Sequence, residues 1–271
     1  MEKQIYDQET MNEVESNEKL PKTKFEQIDI GKETELFYDF MKSSRWSAVF
    51  DRVYPELREI QKESKDKDEC LKRYGKFVEG IHARDKGAML SAQEYVQTEW
   101  EKIGQAFLEV LSEHFETDWP EDRHEIIGYV SALPAYPRFL KDYSFCVGYK
   151  NVANMIETAA HEILHFLWFK KWAEIFPETD KKEFESPHLV WRLSEIMDPI
   201  ILQCHPEISK LIKPVKWGYQ SFVDLKIGEK SMSQHFTDIY KDCLGRQLHF
   251  DEILKIVWGE AQRHREVLEK F

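Results

Sequence analysis

The sequence has no CxxC pair, no glycine-rich phosphate loop, no long apolar run and no excess of positive charge. Each absence narrows what the chain can do. Its four cysteines (Cys70, Cys146, Cys204 and Cys243) lie far apart, so they read as reduced thiols and leave no thiolate zinc site. Neither GxGxxG nor GxxxxGK[ST] occurs, which removes the support for nucleotide chemistry. The longest apolar candidate, IIGYVSALPAYP, is short and carries two prolines, and falls well below the ~20 residues that span a bilayer. The first twenty residues, MEKQIYDQETMNEVESNEKL, are acidic and have no apolar centre, unlike a secretory signal. With 50 Asp and Glu against 38 Lys and Arg, the net charge of -12 argues against a phosphate-binding surface and hence against a nucleic-acid partner. A cytoplasmic protein with no membrane or nucleic-acid partner is expected.

What remains is a folding composition. Of 271 residues, 42% are hydrophobic, with 17 Phe, 11 Tyr and 8 Trp, enough apolar mass for a real core. Residues 1–24 are polar and read as an N-terminal arm. Residues 25–271 read as one domain in three parts: 25–118 helical, 119–203 carrying a sheet and two long helices, and 204–271 helical again. In SAQEYVQTEWEKIGQAFLEVLSEHF, Val96, Trp100, Ile103, Phe107, Val110 and Leu111 recur at helical steps. The charge run KESKDKDE reads as a solvated loop or helix end. EIIGYVSAL and SFCVGY read as strands. NMIETAAHEILHFLWFKKWAEIF follows as a long helix stopped by Pro177. Another helix is expected to open at Ser186-Pro187 and run through HLVWRLSEIMDPIIL. The fold class is α+β: mostly helical, with a small mixed sheet ahead of the HEILH helix.

HEILH is the stretch that carries chemistry. On a helix, residues i and i+4 share a face, so His161 and His165 can reach one ion, and imidazole suits zinc. Glu162, one step round, can reach a metal-bound water and take its proton, the role of Glu in H-E-x-x-H. Histidine and glutamate are common enough here for the pattern to arise by chance, so its context matters: a strongly helical segment, a short strand before it, and a later helix with a third ligand to offer. Catalytic zinc takes three protein ligands and keeps one position open. HExxHxxGxxH is excluded, because Trp168 and Lys171 stand where it needs Gly and His. Glu195, thirty residues on in WRLSEIMDP, is the preferred third ligand. His188, Glu185 and Asp198 are its rivals. Asp198, on the same face as Glu195, can instead hydrogen-bond the second nitrogen of a ligand histidine and orient it.

HEILH followed by SEIMD on a later helix resembles the zincin superfamily of metallopeptidases, and within it the gluzincins. The resemblance covers about 122–203. It implies a zincin-like fold, one zinc per chain held by His161, His165 and Glu195, and Glu162 as general base and later proton donor to the leaving amine. It also implies that SFCVGY is the sheet edge along which a peptide or protein substrate lies. Thermolysin-like members place the outer carboxylate four residues after the Glu; here Asp198 comes three after.

Peptide hydrolysis develops an oxyanion that a Tyr or His donor commonly helps to stabilise. Tyr149, Tyr219, His235 and Tyr240 are candidates, with WGYQSF (217–222) the first place to look, although each reads more simply as a packed ring with a satisfied polar end. Phe166, Trp168, Phe169 and Trp172 read as core and His264 as surface. The functional expectation is a zinc-dependent metallopeptidase. The alternatives are a non-catalytic zincin-like domain that binds a partner, against which the intact Glu162 counts, and a zinc hydrolase of a non-peptide amide.

Overall fold

Alternation hidden under charge starts the fold. Lys22, Lys24 and Glu26 point outward while Thr23 and Phe25 are buried, and this period of two makes Lys22–Gln27 a strand. The computed structural model describes residues 20–212 and 219–271. In chain order its main elements are β1 (Lys22–Gln27), α1 (Ile30–Lys42), α2 (Ser47–Val53), α3 (Glu56–Glu63), α4 (Lys67–Glu101), α5 (Gly104–Phe115), β2 (Glu125–Ser131), β3 (Arg138–Phe139), β4 (Ser144–Gly148), α6 (Met155–Ile175), α7 (Leu189–Cys204), the two-residue strands β5 (Lys226–Ile227) and β6 (Lys230–Ser231), α8 (Met232–Gly245) and α9 (Phe250–Arg263). The protein is mostly helical with a small mixed sheet. No helix among the described residues is long and apolar enough to cross a membrane.

The chain clusters into two compact units. A sheet unit takes Lys22–Lys102 and Glu125–Ala159, and a helical unit takes Ile103–His124 and Ala160–Phe271. In the sheet unit the strand order is β1-β2-β4-β3. β1, β2 and β4 run parallel, and β3 is antiparallel to β4. Two expectations are corrected here. The end of the supposed polar arm, residues 22–24, is sheet. SFCVGY is not the terminal strand: β2 flanks β4 along its length, and β3 covers its start at Ser144 and Phe145. The outer edge of β1 is capped by α4. Gln97 Oε1 accepts from Phe25 N at 2.9 Å, and Gln93 Nε2 donates to Phe25 O at 2.8 Å, satisfying groups that an exposed edge leaves open. Glu33, wholly buried on α1, accepts from the amide of Ala132 just past β2 at 2.6 Å and pairs with His82 of α4.

Two local boundaries differ from the periodicity. The run 91–115 is broken between Glu101 and Gly104, where α4 gives way to α5. KESKDKDE is where α3 ends and α4 begins, with the Asp66 side chain accepting from Glu69 N at 2.8 Å as an N-cap. α7 starts at Leu189 with His188 at its N-cap, later than Ser186-Pro187, whose peptide bond is cis.

In the helical unit, α6 is apolar nearly all round. Ala160, Ile163, Leu164, Phe166, Leu167, Trp168, Phe169 and Trp172 are all buried, the pattern of a core helix. Phe250 of α9 packs against Phe115 of α5 and Trp168 of α6, with ring centroids 4.4 and 6.0 Å away. Each large buried side chain contributes roughly 1.5–3 kcal/mol before entropy, so packing is a large part of what holds α6 in place.

Gly128 tests the sheet packing. It sits in register between Phe25 on β1 and Phe145 on β4, whose rings meet edge-on at 6.1 Å. A Cβ at 128 would come within 2.5 Å of Phe25 and 3.1 Å of Phe145. Gly128→Ala should therefore cost on the order of 1–3 kcal/mol by overpacking, read as a lower denaturation midpoint at an unchanged m-value. Wild-type stability in the variant would contradict this packing.

Candidate metal centre

The two helices that carry the candidate ligands are buried for different reasons. α6 is mostly apolar around His161, Glu162 and His165, whereas α7 is buried from Leu189 to Leu202 despite carrying Arg192, Ser194, Glu195 and Asp198. Pro199 lies inside α7, so the amide that would bond to the carbonyl of Glu195 is missing at the turn where the acidic residues sit.

The geometry is a convergence. His161 Nε2 and His165 Nε2 are 3.2 Å apart. Glu195 Oε2 is 3.5 Å from His161 Nε2, and Glu195 Oε1 is 3.4 Å from His165 Nε2. Zinc bonds of ~2.0–2.1 Å in a tetrahedron separate neighbouring donor atoms by ~3.3 Å. The two nitrogens have that spacing, and the Glu195 carboxylate faces both of them, one oxygen to each, at nearly the same distance. Asp198 Oδ2 lies 2.8 Å from His165, on the Nδ1 side. The donor atoms of His161, His165 and Asp198 also fall within 4.8 Å of one another, but Asp198 faces the nitrogen directed away from the convergence. Its position suits an orienting partner, not a ligand. Of the other rivals, His188 serves as the N-cap of α7, and Glu185 is exposed before it.

Glu162 is 6% exposed and Glu195 6%, while His165 and Asp198 are wholly buried. His161 keeps 21% of its side-chain surface, so the cluster meets solvent on that side. Three buried carboxylates against two imidazoles leave an excess of negative charge, which is costly unless a cation balances it. Burial by itself would lower the pKa of His161. The hydrogen bond to Glu195 and the charges of Glu195, Glu162 and Asp198 outweigh it and raise the imidazole to about 10. Burial would raise Glu195, but the hydrogen bonds from His161 and His165 hold it well below the usual carboxylate range. The donor set, two imidazoles and a carboxylate, is one that zinc accepts.

The four oxyanion candidates each have partners of their own. The Tyr149 hydroxyl, in the sheet unit, donates to Asp85, and burial followed by that bond raises its pKa. Tyr240 is wholly buried with its hydroxyl 3.0 Å from His114 Nε2; burial, then His205, pushes that imidazole down to about 3, so it accepts. His235 Nε2 is 2.6 Å from Glu260. Tyr219 packs on Phe271, which stacks on Trp191 of α7, one turn before Glu195. Tyr219 is thus linked through Phe271 to the glutamate helix, and α8, which carries His235 and Tyr240, packs directly on that helix. Trp217 and Gly218 of WGYQSF lie outside the described residues. His264, read from the sequence as surface, is only partly exposed and sits with His235 and Glu260. The one sequence signal for that grouping was the i,i+4 spacing of Glu260 and His264.

No family model matches the chain, and comparisons with curated proteins and with solved structures return no match.

His161→Ala and His165→Ala should each lose one equivalent of zinc by elemental analysis. His165→Ala should also lose stability, on the order of 1–3 kcal/mol, because it strands the buried Asp198. Glu195→Ala should weaken zinc binding severely while His188→Ala leaves it unchanged; the reverse pattern would overturn the ligand assignment.

A proton on His161 competes with a metal, and the carboxylates around that imidazole hold the proton more tightly by raising its pKa to about 10. Zinc affinity should therefore rise with pH between about 6 and 10, with proton release near neutral pH, measured by calorimetry in buffers of different ionisation enthalpy. A pH-independent affinity would contradict this charge balance.

Proposed function

We propose that the protein is a cytoplasmic zinc-dependent peptidase of the gluzincin kind, hydrolysing peptide bonds in peptides or partly unfolded chains. The observation that supports this most strongly is the convergence of His161 Nε2, His165 Nε2 and Glu195 at 3.2–3.5 Å, with Glu162 one residue from the first ligand. Zinc held by these three would polarise the scissile carbonyl and lower the pKa of a water toward neutrality.

The chain's own residues do the rest. Glu162, buried beside the solvent-facing His161, accepts a proton from the attacking water as its oxygen bonds to the carbonyl carbon. When the C–N bond breaks, the same carboxyl gives that proton to the leaving amine, so Glu162 ends as it began. Asp198, on the Nδ1 side of His165, favours the tautomer with its proton on Nδ1, which leaves Nε2 free to bind a metal. A zinc hydrolase of a non-peptide amide would use the same residues and is distinguished by failure to cleave a peptide library. A purely partner-binding role leaves the buried Glu162 without a task.

Glu162→Gln keeps size and hydrogen bonding but cannot accept the proton. Peptide cleavage should fall at least ~10²-fold while zinc content and thermal stability stay near wild type. Equal rates at equal zinc occupancy would refute the mechanism even with the metal site intact.

A further inference from the structure

A second convergence of imidazoles on a carboxylate lies at the end of the hairpin formed by α8 and α9. The hairpin is closed by the short turn Arg246–His249. His235 stands in the first turn of α8, and Glu260 in the last turn of α9, with His264 just after it. These three residues therefore meet at the open end, opposite the turn. His235 Nε2 is 2.6 Å and His264 Nε2 3.0 Å from the same oxygen, Glu260 Oε1. The three donor atoms lie within 4.8 Å of one another. The imidazole rings are nearly perpendicular, with centroids 5.5 Å apart.

We propose that His235, Glu260 and His264 form a second divalent transition-metal site, independent of the HEILH helix, that pins the open end of the α8–α9 hairpin. Two imidazoles and a carboxylate are a borderline donor set that suits zinc, cobalt or nickel over calcium and magnesium, which prefer oxygen. Glu260 is largely buried while the two histidines keep 22% and 28% of their side-chain surface. An ion can thus enter from solvent, and water can complete its coordination. Arg263 pairs with the other oxygen of Glu260. This orients Oε1 toward the histidines in the way that ligating carboxylates are held by outer hydrogen bonds. His264 is fixed by its backbone, since its amide bonds Glu260 O at 3.1 Å and its carbonyl accepts from Val267 and Leu268. Metal entry requires each imidazole to carry its proton on Nδ1, leaving Nε2 for the ion.

The test uses metal-free full-length protein titrated with zinc, and with cobalt for its ligand-field absorption. His161→Ala/His165→Ala, which removes the first site, should still bind one equivalent. That equivalent should vanish when His235→Ala and His264→Ala are added, and its affinity should fall at least ~10-fold in Glu260→Gln. Zinc should raise the melting temperature of His161→Ala/His165→Ala but not of the fourfold variant. If His161→Ala/His165→Ala does not fold, His235→Gln/His264→Gln in the otherwise native chain should bind one equivalent less than wild type. Unchanged stoichiometry in that variant, or no binding by folded His161→Ala/His165→Ala, would overturn the site and leave the cluster as hydrogen-bonded ion pairs only. Failure of the first site appears separately, as equal zinc content in wild type and His161→Ala/His165→Ala.

Discussion

Buried charge is the constraint on which the helical unit turns. Glu162, Glu195 and Asp198 lie within the core beside His161 and His165, and a core tolerates such groups only when they are paired or hydrogen-bonded. Four of these five groups are stacked in sequence, Asp198 against Nδ1 of His165, its Nε2 against Glu195, and Glu195 against His161, and the negative charge left over calls for a cation. Each of the four faces its neighbour, so the donor set is already assembled before any ion arrives. A preorganised donor set binds without ordering itself at the moment of binding.

Apolar packing sets where these groups stand. α6 is surrounded by Phe115, Phe250 and its own aromatic residues, with Trp172 against Trp258 at 5.0 Å. His165 lies parallel to Phe169 at 5.6 Å, so a ring from the core fixes the plane of the imidazole. The residues read as core and those read as chemical thus act together. The aromatic rings set the angle, and the carboxylates set which nitrogen faces the site.

The sheet unit meets the same constraint by giving its buried polar groups partners. Glu33 is buried, yet it accepts from Ala132 N and pairs with His82. Tyr54 donates to Ala132 O at 2.8 Å. Together these groups satisfy both polar atoms of Ala132 where β2 ends, so the chain can leave the sheet without stranding a buried amide. Glutamine side chains perform the same service along β1.

The sequence alone determined what is local. The i,i+4 spacing of His161 and His165 on a helix follows from 3.6 residues per turn, and the Asp66 cap lay within the charge run KESKDKDE. Two of the parallel strands, EIIGYVSAL and SFCVGY, were legible from their β-branched and aromatic residues. β1 was not, because three of its six residues are charged and its partner lies about a hundred residues away. The interior position of β4 and the pairing of His235 with Glu260 were equally out of reach, and for Asp198 the spacing left both a ligand and an orienting role open. Acidic residues at 185, 195 and 198 all had suitable spacing to be the third ligand. Only the packing of α7 against α6 decides which carboxylate meets the Nε2 atoms, since that depends on helix rotation and separation, which residues distant in sequence set by filling space.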